Sequence, residues 1–374
     1  MSTRWRIGFD GRTLVSPAAG MRRYTRELFG ALAEIDHALE IVAVGSPAEV
    51  VLPNGLRHVA AGGSLPSNFG WMLTGLPRAA RRAKLDLFHA PSYTAPIGGP
   101  RPLVLTIHDV SYERHPEWYP YKRDPLRRAF YRRSARAADR IVTDSHFSKA
   151  EIVAAYGLNA STIDVVPLAA AGTFAAGPVL PLPAGYPPRF LVHVGDLHPR
   201  RNLTMLAHAV AAVRNRVAAA RQLSLVLVGH DRGSGDELRA ISRREGGDTP
   251  LVLFAQGATD ATLLALYRSA IALVYPSRYE GFGLPLLEAM SCGTPVIAAR
   301  SSSIPEVVGD AGVLIDPDDE RAWMMAIEEV ADDPDHAERL RAAGLARASG
   351  FSWRRTASET AAIYRRLLES RGDE

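Results

Sequence analysis

Cysteine is almost absent: Cys292 is the only one in 374 residues. No intrachain disulfide can form, and such usage suits a reducing compartment. Cys292 falls between a helix pattern and a strand pattern, the place of a small packing residue rather than of a nucleophile. Lysine is scarce as well. Lys84, Lys122 and Lys149 are the only three among 44 basic residues. Pyridoxal phosphate needs a Schiff-base lysine, and nothing after Lys149 can supply one. No apolar run approaches the roughly 20 residues of a membrane span. Met1 leads almost directly into the apolar run Trp5–Phe9, so a signal peptide is not expected. No D-x-D motif stands at a strand end. Asp316-Pro317-Asp318 has the spelling but reads as a turn before a helix from Glu320, so no catalytic metal and no cofactor are expected. No nucleic-acid-binding motif is present either.

What is present is alternation. Apolar runs of four to six residues exchange with helical patterns along the whole chain, which argues for parallel sheets with crossover helices. The first half predicts strands at Trp5–Phe9, Glu40–Val44, Leu85–His89, Leu103–Ile107, Arg140–Thr143 and Ile163–Val166. Helices are predicted at Arg22–Ile35 and Pro125–Ala138. A Pro-rich interval from Leu168 to Pro188 breaks the rhythm and reads as a linker. The second half predicts strands at Phe190–Val194, Leu223–Val228, Leu251–Ala255, Ala270–Tyr275, Pro295–Ala299 and Val313–Ile315. The organisation expected is an N-terminal Rossmann-like domain over residues 1–170, a linker over 171–188 and a second Rossmann-like domain over 189–350. With six strands each, the two domains would face a central cleft. Open α/β sheets bind ligands at the carboxyl ends of their strands, so motifs there carry the function.

The stretch Pro276–Pro295, PSRYEGFGLPLLEAMSCGTP, concentrates that signal. It follows a strand pattern and turns through Gly281 and Gly283. A helix then opens at Leu284-Pro285, proline being tolerated in a first turn, and Gly293 stands where a C-cap would end it. Free N–H groups and the positive dipole end of such a helix attract phosphate. Glu280 before the turn and Glu288 one helical turn inside would flank that phosphate, an arrangement suited to a nucleotide-sugar. Arg200 and Arg201 follow the first strand of the second half. A guanidinium pair there can hold a diphosphate through charge-assisted hydrogen bonds and stabilise it as it leaves. His108 ends the strand pattern VLTIH, where it can donate to a sugar hydroxyl or contact a reacting centre.

These segments resemble the family-4 retaining glycosyltransferases of the GT-B fold, in particular bacterial mannosyltransferase-like members. Glu280-x7-Glu288 around GFGLP is similar to the family signature. By that resemblance Glu280 contacts the donor sugar or its phosphates and Glu288 holds the ribose, with Gly281, Phe282, Gly283 and Leu284 lining the donor. VGDLHPRRNL resembles the family's G-x-x-x-P-R-K-N-L segment, with Arg201 in place of the phosphate-binding lysine. TIHDVSYERHPEW resembles a segment whose histidine, here His108, lies in the active site. His115, His193 and His198 lack such support and read as structural. AAGMRRY resembles the glycine-rich N-terminal loop and assigns Gly20 to the donor. Gln256-Gly257 corresponds to a loop that meets the base through its backbone. SSSIPEV resembles a family turn and reads as a helix start, with Ser303 as cap and Glu306 completing a capping box. The resemblance also assigns acceptor binding to the first domain and nucleotide-sugar donor binding to the second, and sends the last helix, from about 353 to 370, back onto the first domain.

Tyr121–Arg140 holds eight basic residues against Asp124 and Asp139, a local +6 in a chain of net +4. Arg128, Arg132, Arg136 and Arg140 recur every four residues, as on one helical stripe. A cationic stripe suits an anionic membrane or a lipid-diphosphate acceptor, and less a nucleic acid. The reading is a metal-independent retaining transferase of a hexosyl group. GDP-mannose is the expected donor. A hydroxyl of a glycan or lipid-linked oligosaccharide is the expected acceptor, at the cytoplasmic face of the membrane. A catalytically silent GT-B scaffold and a sugar-nucleotide epimerase remain as alternatives.

Overall fold

The computed structural model describes residues 4–370 except 48, 61–69, 97, 120–123, 218–219 and 248. These residues form two compact units. One runs to Leu168 and takes up the chain again from Ser352; the other is Ala169–Phe351.

The first unit is built on a sheet of β1 (Trp5–Asp10), β2 (Leu39–Val44), β3 (Arg57–Val59), β4 (Leu87–Ala90), β5 (Leu103–Thr106), β6 (Arg140–Thr143) and β7 (Ile163–Val165). Every pairing is parallel, in the order β3-β2-β1-β4-β5-β6-β7. The central strands are apolar because both their faces are covered; β2 is buried at all six positions. Six strands were expected and seven are found. The extra one, β3, is a three-residue edge strand with its first two residues exposed, so it carries no apolar run to recognise.

The helix Ala19–Ile35 buries Tyr24, Leu28 and Leu32 along one face, the four-residue spacing of an amphipathic helix. The helix Trp353–Glu369 packs against it. It buries Trp353, Thr356, Ala357, Thr360, Ala361 and Tyr364 in steps of three and four, and Thr356 Oγ1 donates to Pro167 O at 2.7 Å. The C-terminal helix thus belongs to the first unit.

The second unit repeats the plan with β8 (Arg189–Val194), β9 (Leu223–Val228), β10 (Val252–Ala255), β11 (Leu273–Tyr275), β12 (Val296–Ala299) and β13 (Val313–Ile315), all parallel in the order β10-β9-β8-β11-β12-β13. β11 starts later than the apolar run suggested. Ala270 still donates to Leu266 O and ends the helix Asp260–Ser269. The Pro-rich interval lies on this unit. Phe174 sits edge-on to Tyr267, with ring centroids 5.7 Å apart, and Arg268 donates to Ala175 O. In both sheets the strand order reverses direction once, between β1 and β4 and between β8 and β11. Such switch points open a crevice at the carboxyl ends of the strands.

Candidate functional site

The second switch point brings Arg200, Arg201 and Glu280 together. After β8 the chain turns at Gly195, whose φ of +143° L side chains rarely adopt; a Cβ there would also crowd the Arg201 guanidinium at 3.1 Å. A short 3-10 turn, Pro199–Arg201, then aims both arginines at the loop that follows β11. Arg278 N–H donates to Arg200 O at 2.8 Å and ties the two loops together.

Arg201 is 9% exposed. Its Nη1 donates to Glu280 Oε1, to the Tyr275 hydroxyl and to Ser277 Oγ, while its Nε is buried without a hydrogen-bond partner. Arg200 Nη1 donates to Tyr279 O at 2.9 Å and stands 3.7 Å from Glu280 Oε2. Glu280 is 5% exposed. A buried carboxylate is tolerable only when paired, and here two guanidinium groups pair it. The site holds a surplus of positive charge and one unspent N–H, the electrostatic preparation for an anion.

His193, read from sequence as structural, is a support. It stacks on Tyr275 at 5.2 Å, and Tyr275 lies under Arg201. Burial and the nearby Arg201 push its imidazole down to about 3, so it stays neutral.

From Glu280 the chain passes Gly281 and Phe282 to Gly283, whose φ of +110° opens the helix Leu284–Cys292. Pro285 stands in its first turn, and Gly293, at φ +77°, ends it as a C-cap. Glu288 is 1% exposed and accepts a hydrogen bond from the Tyr267 hydroxyl at 2.9 Å. Phe282 packs edge-on to Phe351. Gly257, φ +68°, follows β10 with open space on its Cβ side. It lies beyond β9 and β8 in the sheet from the strand that leads to Glu280.

Ser303 corrects the sequence reading. It is not a side-chain cap, because its backbone is helical and its hydroxyl turns away to Glu280 O and Phe282 O, at 2.9 and 3.0 Å. Ser302 Oγ accepts from Glu280 N–H at 2.9 Å. The serine turn therefore braces the glutamate loop. Asp318 of the Asp-Pro-Asp turn pairs with Arg278, and no metal-ligand cluster occurs among the described residues. Burial pushes the Cys292 thiol up to about 12, which keeps it an inert packing residue.

In the first unit, His108 Nδ1 lies 2.7 Å from Asp144 Oδ2, and His108 Nε2 is buried without a well-formed hydrogen bond, the Pro91 carbonyl standing near the ring. The sequence reading missed Asp144, yet the register places it: Thr106 stands opposite Val142, so the residues two further along leave the sheet side by side. Burial pushes the imidazole down, but the Asp144 carboxylate, helped by Asp109, outweighs it. The net shift is upward.

Tyr24 meets His108 edge-on at 4.6 Å, and its hydroxyl is 2.7 Å from Thr106 Oγ1. Thr106 continues to His89, and His89 to Tyr364 of the C-terminal helix. Gly20 lies in the first turn of the Tyr24 helix. Its φ is not positive and a Cβ there would meet nothing, so the backbone does not require glycine there.

The basic stripe is altered too. Its first residues, 121–123, lie outside the described residues. Arg140 belongs to β6 and pairs with Asp164, because the helix ends at Ala137. Arg128 and Arg132 both bind the buried Glu113, at 2.5 and 3.3 Å. Of the predicted residues only Arg136 stays outside an ion pair with the described residues, so the stripe is not a free cationic face.

Two all-parallel sheets of this strand order, with a paired arginine–glutamate cluster beside a glycine-opened helix, define a GT-B glycosyltransferase. Solved structures agree on the fold. Sucrose-phosphate synthase from Thermosynechococcus elongatus matches with a TM-score of 0.79 at 21% identity, over 98% of this chain and all of that one. HepE from Anabaena, in complex with UDP-glucose, matches with a TM-score of 0.72 at 20% identity, over 97% of this chain and all of that one. The family model "Glycosyltransferase Family 4" matches residues 18–170 and "Glycosyl transferases group 1" matches residues 188–333. The O-antigen chain mannosyltransferase B of Escherichia coli is 33% identical, over 77% of this chain and 76% of that one. A D-inositol 3-phosphate glycosyltransferase of Thermobispora bispora is 29% identical over 94% and 91%. The chain belongs to the group 1, family 4 glycosyltransferases.

Proposed function

We propose that the protein is a retaining mannosyltransferase that moves an α-mannosyl group from GDP-mannose to a hydroxyl of a glycan or lipid-linked oligosaccharide, in cell-surface polysaccharide synthesis at the cytoplasmic face of the membrane. The observation that carries this reading is the Arg200–Arg201–Glu280 cluster at the switch point of the second sheet, followed directly by the helix that carries Glu288. Diphosphate would lie on the two arginines and the first amides of that helix. Ribose would meet Glu288, and Gly257 would leave room for the base. The choice of mannose is supported by the similarity to the mannosyltransferase of Escherichia coli.

In the proposed step the bond from the sugar's anomeric carbon to the diphosphate breaks. The acceptor hydroxyl attacks from the face the diphosphate is leaving, and the departing phosphate oxygen takes the hydroxyl proton. Arg200 and Arg201 stabilise the charge that gathers on the diphosphate, the work a divalent cation performs elsewhere. His108, oriented by Asp144, offers Nε2 to a hydroxyl of the transferred sugar.

The test is release of nucleoside diphosphate from a panel of GDP- and UDP-sugars, with and without acceptor and with and without chelator. Acceptor-dependent release from GDP-mannose, unchanged by chelator, is expected. Sugar isomerisation without acceptor would make the protein an epimerase, and neither reaction would leave a silent scaffold. Activity abolished by chelator and restored by magnesium or manganese would overturn the arginine-based account.

A further inference from the structure

Four buried polar side chains of the first unit have no part in the step above: Tyr24, His89, Thr106 and Tyr364, each at most 2% exposed. They form one chain. The Tyr24 hydroxyl lies 2.7 Å from Thr106 Oγ1, Thr106 Oγ1 lies 2.7 Å from His89 Nε2, and His89 Nδ1 meets the Tyr364 hydroxyl. His89 and Thr106 stand on the neighbouring strands β4 and β5, Tyr24 on the helix Ala19–Ile35 and Tyr364 on the helix Trp353–Glu369. The chain thus joins the C-terminal helix, through two central strands, to the helix that carries Tyr24.

Burial, with His108 nearby, pushes His89 down to about 3, so its ring is neutral and carries one N–H. It must donate at one nitrogen and accept at the other. The hydroxyls on its two sides are therefore not independent, and the direction of the bond at Tyr364 fixes the direction at Thr106. Phe29 and Tyr364 wedge the ring, edge-on at 5.5 and 5.7 Å.

Stability alone does not ask for such a chain. A buried hydrogen bond adds little net stability, and apolar groups of the same shape can fill a core as well. What the chain fixes is the Tyr24 ring, which stands at 87° to the His108 imidazole with centroids 4.6 Å apart. His108 has one well-formed side-chain hydrogen bond, Nδ1 to Asp144. That bond alone leaves the imidazole able to swing about it and carry Nε2 out of line. A ring packed perpendicular against the imidazole removes the swing. The C-terminal helix also reaches Tyr24 directly, through Trp353 at 6.3 Å.

We propose that Tyr24 is a positioning residue for His108, and that the C-terminal helix holds it in place through Tyr364, His89 and Thr106. The proposal rests on the transferase reading, which gives His108 Nε2 a hydroxyl of the transferred sugar, and adds to it the device that aims the nitrogen.

Two variants break the chain away from the donor site, Tyr364→Phe and Thr106→Val, and Thr106→Ser keeps it. Nitrogen-15 spectra of the histidine rings, with His108 identified by the signals lost in His108→Ala, give a readout independent of activity. The His108 signals should move in Tyr364→Phe, which removes an oxygen bonded to His89 and not to His108. Turnover at saturating substrate should fall about tenfold in both breaking variants, within the roughly hundredfold cost of a small misplacement. GDP affinity should stay that of wild type, and Thr106→Ser should keep most of the turnover. His108 signals unmoved in Tyr364→Phe overturn the proposal, and so does unchanged turnover of an active enzyme; the chain then serves the core alone and only denaturant stability falls. Should Thr106→Val fail to fold, Tyr364→Phe decides. If the His108 signals move but no donor of the panel reacts, the positioning of His108 stands and the transferase reading fails.

Discussion

Replacing Arg201 with Met is expected to cut transfer by about 10²–10³-fold, the usual cost of removing one donor to a developing negative charge. It is also expected to destabilise the second unit by about 3–5 kcal/mol, because one partner of a buried ion pair is lost. Both effects trace to the same atoms. Arg201 is the main partner of Glu280 and also holds Tyr275 and Ser277. Without it the 5%-exposed Glu280 keeps only Arg200, at 3.7 Å. The two effects separate in the double variant Arg201→Met, Glu280→Gln. Removing both charges relieves the unpaired carboxylate, so denaturant stability recovers, whereas turnover stays low because nothing replaces the cation beside the diphosphate and the donor-facing carboxylate is gone as well. Recovery of turnover together with stability would mean that Arg201 serves the fold alone.

The His108–Asp144 pair should show itself through pH. His108→Ala removes a hydrogen-bond donor of a partly charged pair and should lower turnover roughly ten- to hundredfold, from about 1.5–3 kcal/mol. Asp144→Asn keeps an acceptor for Nδ1–H but removes the charge that raises the imidazole. In this variant burial acts less opposed, so the limb of the pH–rate profile that reports His108 moves to lower pH. The stability effect has a definite sign. The folded state holds the His108 proton more tightly than the unfolded chain, whose value is about 6.5. The stabilisation is therefore complete below that pH and is lost as pH rises through the folded value. Urea unfolding should find the gap between wild type and Asp144→Asn larger at pH 5.5 than at pH 8.5. An equal gap at both would remove Asp144 as the group that charges His108.

Much of the candidate cluster was legible because strand ends are. A strand buried on both faces is a nearly continuous apolar run, so β8 and β11 announce themselves, and the first polar residues after them are the ones that can face a ligand. That logic finds Arg200, Arg201 and Glu280 without a contact map. Contacts between segments far apart in sequence were not legible. Ser303 looks like a cap in its own segment; only the fold shows its hydroxyl turned to the carbonyls of Glu280 and Phe282. Arg128 and Arg132 read as a free cationic stripe because Glu113, whose single carboxylate pairs with both, lies 15 and 19 residues away. Asp144 needed the register of β5 against β6. β3 had no pattern to read, since an exposed edge of three residues buries too little to leave one.

The central claim is that the nucleotide binds at the switch point of the second sheet, with Glu288 on its ribose. It is tested most directly by calorimetric titration of GDP into wild type, Glu288→Gln and a first-unit variant, Leu126→Gln with Arg133→Gln, whose two side chains line the cavity beside the first sheet's switch point. Glutamine keeps an acceptor for the Tyr267 hydroxyl, so the helix stays packed and only the charge is removed. Because hydrogen bonds to a carboxylate are about twice as strong as neutral ones, affinity should fall by about 1–1.5 kcal/mol, roughly tenfold, in Glu288→Gln, and should be unchanged in the first-unit variant. GDP affinity unchanged in Glu288→Gln but lost in the first-unit variant would place the nucleotide at the other switch point and contradict the account.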